Sequence, residues 1–232
     1  MTHYYYGCDE VVQGWSRYHK LCTALELDLN GEKNPPTIAT LNRWRVDSPR
    51  GFAFLLHVEQ DLITSLVKSS ERTSPRLAKD IDTHLESTFE KARALAAKAL
   101  IISMPPEFTP STDNKNLLVE LRKRILEKQD KNRSIILEPS GLWERSTTLE
   151  WAEGEGFVLA HDPFMAMRDG DHCSKQDACF VINERAGMRR KFDQFDFEDM
   201  LDWSASAQRA FLLLRGRFKA HHAKELLYLL RD

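Results

Sequence analysis

The chain has 232 residues, which suits one barrel-sized α/β domain as well as two smaller domains. Lys and Arg number 33 and Asp and Glu 35, and the formal net charge of -2 excludes a global basic field that would draw the chain onto nucleic acid or an anionic membrane. No apolar stretch approaches the roughly 18 to 20 residues of a membrane span, and no basic segment followed by an apolar one opens the sequence. We therefore expect a soluble, cytoplasmic protein that does not bind membranes.

The four cysteines, Cys8, Cys22, Cys173 and Cys179, are scattered and lack paired C-x2-C spacing. This spacing argues against a zinc module and against a small disulfide scaffold. Cys8 and Cys22 lie in or beside predicted strands, where we expect buried, inert thiols. The sequence also lacks the nucleophile elbow, the phosphate-binding P-loop and the His-Glu-x-x-His zinc motif.

Eight short runs rich in apolar residues predict strands, because buried parallel strands read as short continuous apolar segments. In chain order they are Tyr4–Cys8, Thr23–Leu27, Phe52–Val58, Ala99–Ser103, Ser134–Glu138, Phe157–Ala160, Cys179–Asn183 and Ala210–Leu214.

Helical spacing of apolar residues separates most of these runs. Helices are predicted over Arg17–Leu21, around Ile38, Leu41 and Trp44, over Leu77–Lys98, around Leu117–Ile125, from Thr147 with Glu150 as a capping box, and over Lys219–Leu230. The serine-rich and charged segment Lys68–Pro75 predicts an exposed loop instead.

Strands that alternate with helices predict an α/β fold, most economically a (β/α)8 TIM-barrel-like single domain over residues 1–232, with local irregularity. An open doubly wound sheet is the main alternative. The sequence has no Gly-x-Gly-x-x-Gly after the first strand, which weakens the dinucleotide-binding version of that alternative.

Four predicted strands carry an ionisable residue at their carboxyl end or within two positions of it, namely Glu26, His57, Glu138 and Asp162. Because α/β folds bind ligands at the carboxyl ends of parallel strands, these four residues are the candidate catalytic groups. Converging acids and a histidine suit a divalent metal or general acid and base catalysis. The alternative for each residue is that the strand simply reaches solvent there.

Adjacent residues of a strand point to opposite faces, so only one of His161 and Asp162 can face the ligand side. The alternation of Val158, Ala160 and Asp162 favours Asp162 as that residue. His221 and His222 in the last helix are expected to be solvated rather than ligating.

Basic residues follow the last two predicted strands, and the loops after strands seven and eight of barrels often hold phosphate. Arg185 and Arg215 are the candidate anion-binding residues there, because the guanidinium fork matches phosphate geometry. Trp15 and Trp143 are candidates to stack on a base or sugar, although packing is the default role of each. The predicted ligand is small and anionic or related to nucleic acid, and the pattern predicts no particular cofactor or metal.

The order of these pieces resembles the DUF72 family, also called YecE-like, whose fold is a TIM-barrel variant. The segment from Trp44 to Phe54 is the most specific part. The residues that carry the resemblance are Gly7, Gly14, Trp15, Glu26, Pro36, Leu41, Trp44, Pro49, Gly51, Phe52, Phe54, Pro105, Pro106, Phe108, Asn116, Leu117, Glu138, Trp143, Asp162 and Ala223. The resemblance implies the barrel fold and places Glu26, Glu138 and Asp162 at its mouth.

The chain departs from the family pattern at several positions. His57 stands where family members typically have a lysine, Ser140 stands in place of an arginine, and Arg215-Gly216 replaces an asparagine pair. Two functions follow as hypotheses. One is a hydrolase or lyase acting on a phosphate- or sugar-containing substrate, and the other is a non-catalytic protein that binds a ligand or partner at a degenerate site.

Overall fold

Eight parallel strands alternate with helices in a computed structural model that describes residues 2–71, 75–128, 132–183 and 191–230. The strands are β1 His3–Cys8, β2 Ala24–Leu27, β3 Ala53–His57, β4 Ala99–Ser103, β5 Ser134–Glu138, β6 Val158–His161, β7 Asp177–Ile182 and β8 Arg209–Leu214. The helices are α1 Trp15–Leu21, α2 Ile38–Asp47, α3 Gln60–Glu71, α4 Pro75–Leu95, α5 Thr112–Lys128, α6 Arg145–Gly154, α7 Pro163–Asp169, α8 Gln194–Trp203 and α9 Lys219–Leu229.

The strand order is β1-β8-β7-β6-β5-β4-β3-β2, the order of a (β/α)8, TIM-barrel-like fold. The predicted fold class is therefore confirmed, and each of the eight predicted strands overlaps an observed one. Their apolar residues are almost entirely buried, as expected of strands that are covered on both faces. In the described residues no helix is both long and apolar enough to cross a membrane.

The chain packs as two compact units. The first unit comprises Met1–Leu27, Ser48–Ala53 and Val158–Asp232, and the second comprises Asp28–Asp47 and Phe54–Phe157. The prediction of a single domain over residues 1–232 stays a prediction.

The core of the first unit includes the buried aromatic rings of Tyr18, Phe180, Phe197 and Phe211. The Tyr18 hydroxyl donates to the carbonyl of Ala24 at 2.8 Å and accepts from the backbone N–H of Cys8 at 2.8 Å. Helix α1 is thus tied to both β1 and β2 by one phenol. This arrangement satisfies a polar group that would otherwise be costly to bury.

Gly7 in β1 is required by the close approach of β2. A Cβ atom at this position would lie 2.0 Å from the carbonyl oxygen of Ala24. A side chain of any size would therefore push two strands of the same unit apart. Cys8 and Cys22 beside it are buried, as predicted, and the hydrogen bond with Cys22 together with burial raises the pKa of the Cys8 thiol.

The second unit packs α2, α3 and α4 around buried leucines and a phenylalanine. These core residues are Leu41 of α2, Leu62 of α3, and Leu85 and Phe89 of α4. Leu85 and Phe89 recur at helical spacing, which explains why helix α4 could be predicted. The helix extends from Pro75 to Leu95.

The loop predicted over Lys68–Pro75 is wrong at its start, because α3 continues to Glu71. Residues 72–74 lie outside the described residues. Leu62, Ile63 and Leu66 of α3 are buried, so packing of this apolar face holds a helix whose last turn is rich in serine.

The capping box predicted at Thr147 and Glu150 is also wrong. Helix α6 begins after Glu144, whose carboxylate accepts from the backbone N–H groups of Ser146 and Thr147. These bonds and those from the two hydroxyls hold the pKa of Glu144 at about 2.

His222 is a further correction, because its side chain is fully buried rather than solvated. Its ring packs against Phe192, Phe197 and Phe218, and its Nε2 accepts from the backbone N–H of Phe192 at 3.3 Å. His221 stays partly exposed and lies 3.9 Å from Glu225.

Glu59, just after β3, fastens α4 in the second unit. Its carboxylate accepts from Lys91 Nζ at 2.7 Å and from the Ser87 hydroxyl, and it lies 3.1 Å from His84 Nδ1. Burial alone would raise the pKa of Glu59, but the hydrogen bonds from Lys91, Ser87 and His84 outweigh burial and lower it.

Candidate functional site

The carboxyl ends of β3, β4 and β5 in the second unit carry His57, Ser103 and Glu138. In the strand register His57 is opposite Ile101, and Ser103 is opposite Glu138. Ser103 is therefore two residues beyond the partner of His57 and lies on the same face of the sheet. Three neighbouring strands bring an imidazole, a hydroxyl and a carboxylate to one place.

The three side chains form a continuous chain of hydrogen bonds. His57 Nδ1 lies 3.0 Å from Ser103 Oγ, and Ser103 Oγ donates to Glu138 Oε2 at 2.9 Å. All three residues are half-buried, so the chain is shielded from bulk water without being sealed from it. An imidazole linked through a hydroxyl to a carboxylate has the groups needed to accept a proton and return it.

Backbone hydrogen bonds continue the strand pairing past these residues. The N–H of Val58 donates to the carbonyl of Ile101 at 2.9 Å, and the N–H of Met104 donates to the carbonyl of Glu138 at 2.9 Å. The backbone on each side of the hydrogen-bonded chain is therefore fixed by the sheet.

Asn30 holds the loop that follows His57. Its Nδ2 donates to the carbonyl of Val58 at 3.0 Å, and its Oδ1 accepts from the backbone N–H of Gln60 at 2.7 Å. Asp28 in turn accepts from Asn30 Nδ2 at 2.8 Å. Asp28 is itself exposed and thus supports this loop.

Glu26 and Arg215 form an ion pair in the first unit, at the carboxyl ends of β2 and β8. Arg215 Nη2 donates to Glu26 Oε1 at 2.5 Å, and Arg215 Nε lies 3.1 Å from both carboxylate oxygens. The side chain of Glu26 is only 3% exposed and that of Arg215 is 19% exposed. A buried carboxylate requires such a charge partner.

Asp162 and His161 end β6 in the first unit. The Asp162 carboxylate accepts from the backbone N–H of Met165 at 3.1 Å and caps helix α7. The His161 ring packs edge-on against Phe180 and Trp203, the last residue of α8. His161 therefore faces the helix layer. Asp162 stabilises the start of helix α7.

Two predicted tryptophans have well-defined neighbours. Trp15 opens α1 and packs against Tyr18 and His19. Trp143 is buried, donates to the carbonyl of Phe108 at 2.5 Å, and lies against the ring of Trp151. These are packing contacts together with one hydrogen bond, and a role for either ring in binding a ligand stays a prediction.

Arg185 lies outside the described residues. Lys219, at the start of α9, binds two acids that follow β1, with its Nζ 2.6 Å from Asp9 and 2.6 Å from Glu10. The two basic residues that bracket the segment after β8, Arg215 and Lys219, are thus both ion-paired in the first unit.

Ser103 is the member of the candidate site that sequence reasoning missed. A serine that ends a strand gives no charge or motif signal. One signal was present in the sequence. Ser103 is two residues beyond Ile101, so the two side chains lie on the same face of β4, and Ile101 is the residue that pairs with His57. Among the described residues no three His, Cys, Asp or Glu side chains form a metal-binding cluster.

Comparison with solved structures agrees with this fold. A DUF72 family protein from Enterococcus faecalis superimposes with a TM-score of 0.70 at 15% sequence identity, covering 100% of this chain and 99% of that chain. The chain has the fold of DUF72 proteins. A second DUF72 protein, from Thermotoga maritima, matches with a TM-score of 0.64 at 15% identity, covering 99% of this chain and 100% of that one. The DUF72 resemblance seen in the sequence is thus confirmed for the fold.

A weaker similarity in fold extends to a further solved structure. A protein described as a sugar phosphate isomerase/epimerase from Parabacteroides distasonis has a TM-score of 0.53 at 13% identity, with 98% of each chain covered. No protein-family model matches the chain, and no curated protein matches it significantly.

Proposed function

We propose that this protein is an enzyme, a hydrolase or lyase, that acts on a phosphate- or sugar-containing substrate by general acid and base catalysis at the carboxyl ends of β3, β4 and β5. The observation that carries the proposal is the hydrogen-bonded chain from His57 through Ser103 to Glu138. Hydrolysis and elimination both require a group that takes a proton from one atom and returns it to another. His57 is the member of the hydrogen-bonded trio that can do both, because an imidazole nitrogen can accept a proton and later donate it.

The surroundings of His57 support this assignment. The strand pairing and the Asn30 hydrogen bonds fix the backbone on either side of the histidine. A base that is held in place before substrate binds loses less entropy in the reaction than a mobile one. The substrate class draws on fold-level likeness, since one structural neighbour is described as a sugar phosphate isomerase/epimerase.

A second candidate is a non-catalytic ligand-binding protein, and the Glu26–Arg215 pair favours it. Because Arg215 is engaged by a buried carboxylate, its charge is already neutralised in the first unit. Arg215 can hold an anionic ligand only if it leaves Glu26 or shares its remaining N–H groups. Asp162 likewise serves helix α7. Three of the predicted site residues thus have structural partners, as a degenerate site would.

The two candidates are separated by turnover. We expect the wild-type protein to convert at least one compound in a panel of sugar phosphates, phosphomonoesters and phosphodiesters. His57→Gln should then lower kcat by about 10² to 10⁴-fold, the usual contribution of a positioned acid or base. His84→Gln is the matched control, because His84 is a similarly half-buried histidine that lies beside Glu59 in the same unit.

Turnover that survives His57→Gln would overturn the catalytic proposal. Binding of a panel compound without conversion, measured by calorimetry, would favour the ligand-binding candidate instead. If circular dichroism shows that Arg215→Ala is folded, a lower affinity of that variant for a bound phosphate compound would place the anion at Arg215.

A further inference from the structure

We propose that Ser103 is a positioning residue that keeps the proton of neutral His57 on Nδ1 and thereby makes Nε2 the nitrogen that exchanges protons with substrate. This inference deepens the proposed function and rests on it for its catalytic meaning. The proton arrangement itself follows from the two hydrogen bonds that join the three side chains.

Counting protons gives the direction of each hydrogen bond. The Glu138 carboxylate has no proton to donate, so in the 2.9 Å contact the hydroxyl of Ser103 is the donor. A serine has one hydroxyl proton, and Ser103 has therefore no proton left for His57. In the 3.0 Å contact between His57 Nδ1 and Ser103 Oγ the imidazole must donate.

A neutral imidazole carries one N–H group. When that proton is on Nδ1, the lone pair is on Nε2, and the tautomer is set by the partner that accepts from Nδ1. Glu138 influences His57 indirectly, because it accepts the Ser103 proton and so turns the Ser103 lone pairs toward the ring. The geometry thus gives Ser103 the role of orienting the base, which a strand-end serine would not reveal by its sequence.

In the proposed catalytic cycle, His57 returns every proton that it takes. Nε2 takes a proton from a substrate O–H or C–H group and the ring becomes an imidazolium, while the Nδ1 proton stays in its bond to Ser103. Nε2 then returns the proton to the leaving group or to the product, and the ring regains its starting tautomer. Neither Ser103 nor Glu138 forms a covalent bond to substrate in this sequence.

The rival role for Ser103 is that of a nucleophile, because a serine beside a histidine is also the signature of covalent catalysis. That role requires the Ser103 proton to go to His57, and the hydroxyl would have to turn away from Glu138. The observed bond to Glu138 favours the positioning role, and the two roles predict opposite proton positions on the ring.

The test is a nitrogen NMR measurement of the whole protein, labelled with ¹⁵N-histidine and without substrate. His57 is assigned by the signals lost in His57→Gln. At a pH where the ring is neutral we expect the wild-type signals of an Nδ1–H ring. In Ser103→Ala this pattern should be lost in favour of Nε2–H, whereas Ser103→Thr, which retains the hydroxyl, should restore Nδ1–H.

Several outcomes overturn the proposal. A neutral wild-type ring protonated on Nε2 would do so, as would a Ser103→Ala ring that keeps the wild-type pattern. Covalent labelling of Ser103 by a fluorophosphonate, seen by mass spectrometry and abolished in His57→Gln, would assign the nucleophile role instead. Circular dichroism of each variant checks folding, and the tautomer of the wild-type ring decides the proposal if Ser103→Ala does not fold.

The outcome of this test is distinct from that of the proposed function. The tautomer is measured without substrate, so an inactive protein with the expected tautomer contradicts catalysis but not the positioning of His57. An active protein whose His57 tautomer is indifferent to Ser103 contradicts the positioning alone.

Discussion

Glu26 is the most deeply buried of the four ionisable residues that end predicted strands, and its pairing with Arg215 decides what it can do. A carboxylate with a side chain 3% exposed cannot be left without a cation, because desolvation of an unpaired charge costs several kcal/mol. The same two residues were predicted separately, Glu26 as a catalytic acid and Arg215 as an anion clamp. The structure joins the two residues in one buried ion pair, and this pair stabilises the folded protein.

Replacing Arg215 should therefore destabilise the protein more than replacing an arginine in an exposed pair. We expect Arg215→Ala to lower the free energy of unfolding by about 3 to 5 kcal/mol at pH 7, because the buried Glu26 carboxylate loses the guanidinium that contacts both of its oxygens. Arg124→Ala, which breaks a surface pair with Asp82, should cost no more than about 1 kcal/mol. Urea denaturation measures both values.

A second substitution sharpens this comparison. Adding Glu26→Gln to Arg215→Ala removes the uncompensated charge and should recover part of the lost free energy. Equal destabilisation by Arg215→Ala and Arg124→Ala would show that Glu26 is neutralised by something other than Arg215.

At the scale of elements, strands could be predicted well and helices less evenly. The run Ile135–Leu137 is apolar and wholly buried, so composition alone located β5, and Ala99–Ile102 located β4 in the same way. The serine-rich end of helix α3 has no apolar residues and therefore predicts a loop, whereas packing of Leu62 and Leu66 stabilises the helix. The apolar composition of a segment predicts directly whether it is buried. The ends of a helix can be predicted only from the residues that cap them.

Caps and polar contacts explain the remaining misses. Glu144 rather than Thr147 caps α6, because the backbone geometry selects between two polar residues that the sequence presents equally. Ser103 could not be found in isolation, since its importance depends on strand register with Glu138. The sequence predicts that Glu26, His57 and Glu138 lie near strand ends, and the structure agrees. Their contacts with Arg215 and Ser103 join residues far apart in the sequence, so only the folded structure shows them.

The attachment of α4 to Glu59 should make the stability of the protein depend on pH in a defined direction. The pKa of Glu59 is lower in the folded chain than in the unfolded chain. Its contribution is therefore complete above the unfolded value, about 4.3, and is lost as pH falls through the lower folded value. We expect Glu59→Gln to destabilise the protein at pH 7 and to match wild type more closely as the pH falls below about 4.

Urea unfolding at a series of pH values measures this difference, with Glu86→Gln as the control. Glu86 pairs with Lys128 on the exposed side of α4, where solvent screens the pair, so its replacement should leave the pH profile near that of wild type. A wild-type profile that runs parallel to that of Glu59→Gln down to acid pH would contradict the proposed attachment.

At the scale of the whole molecule, the division into two units does not follow the chain. The first unit is assembled from three separate segments, and the boundary at Ala53 and Phe54 falls inside strand β3. Boundaries between independent domains usually fall in exposed linkers. A boundary inside a strand is the opposite arrangement, because it divides one element of secondary structure between the two units.

We therefore expect the chain to unfold in one cooperative transition, as the predicted single domain requires. The tryptophans provide separate probes, since Trp15 and Trp203 belong to the first unit and Trp44, Trp143 and Trp151 to the second. One variant keeps only the first pair and another keeps only the second set, with phenylalanine at the other positions. In each variant the urea midpoint from fluorescence should coincide with the midpoint from far-ultraviolet circular dichroism. Comparison within one variant removes the effect of the substitutions on stability, so midpoints that differ would mean that the units unfold separately.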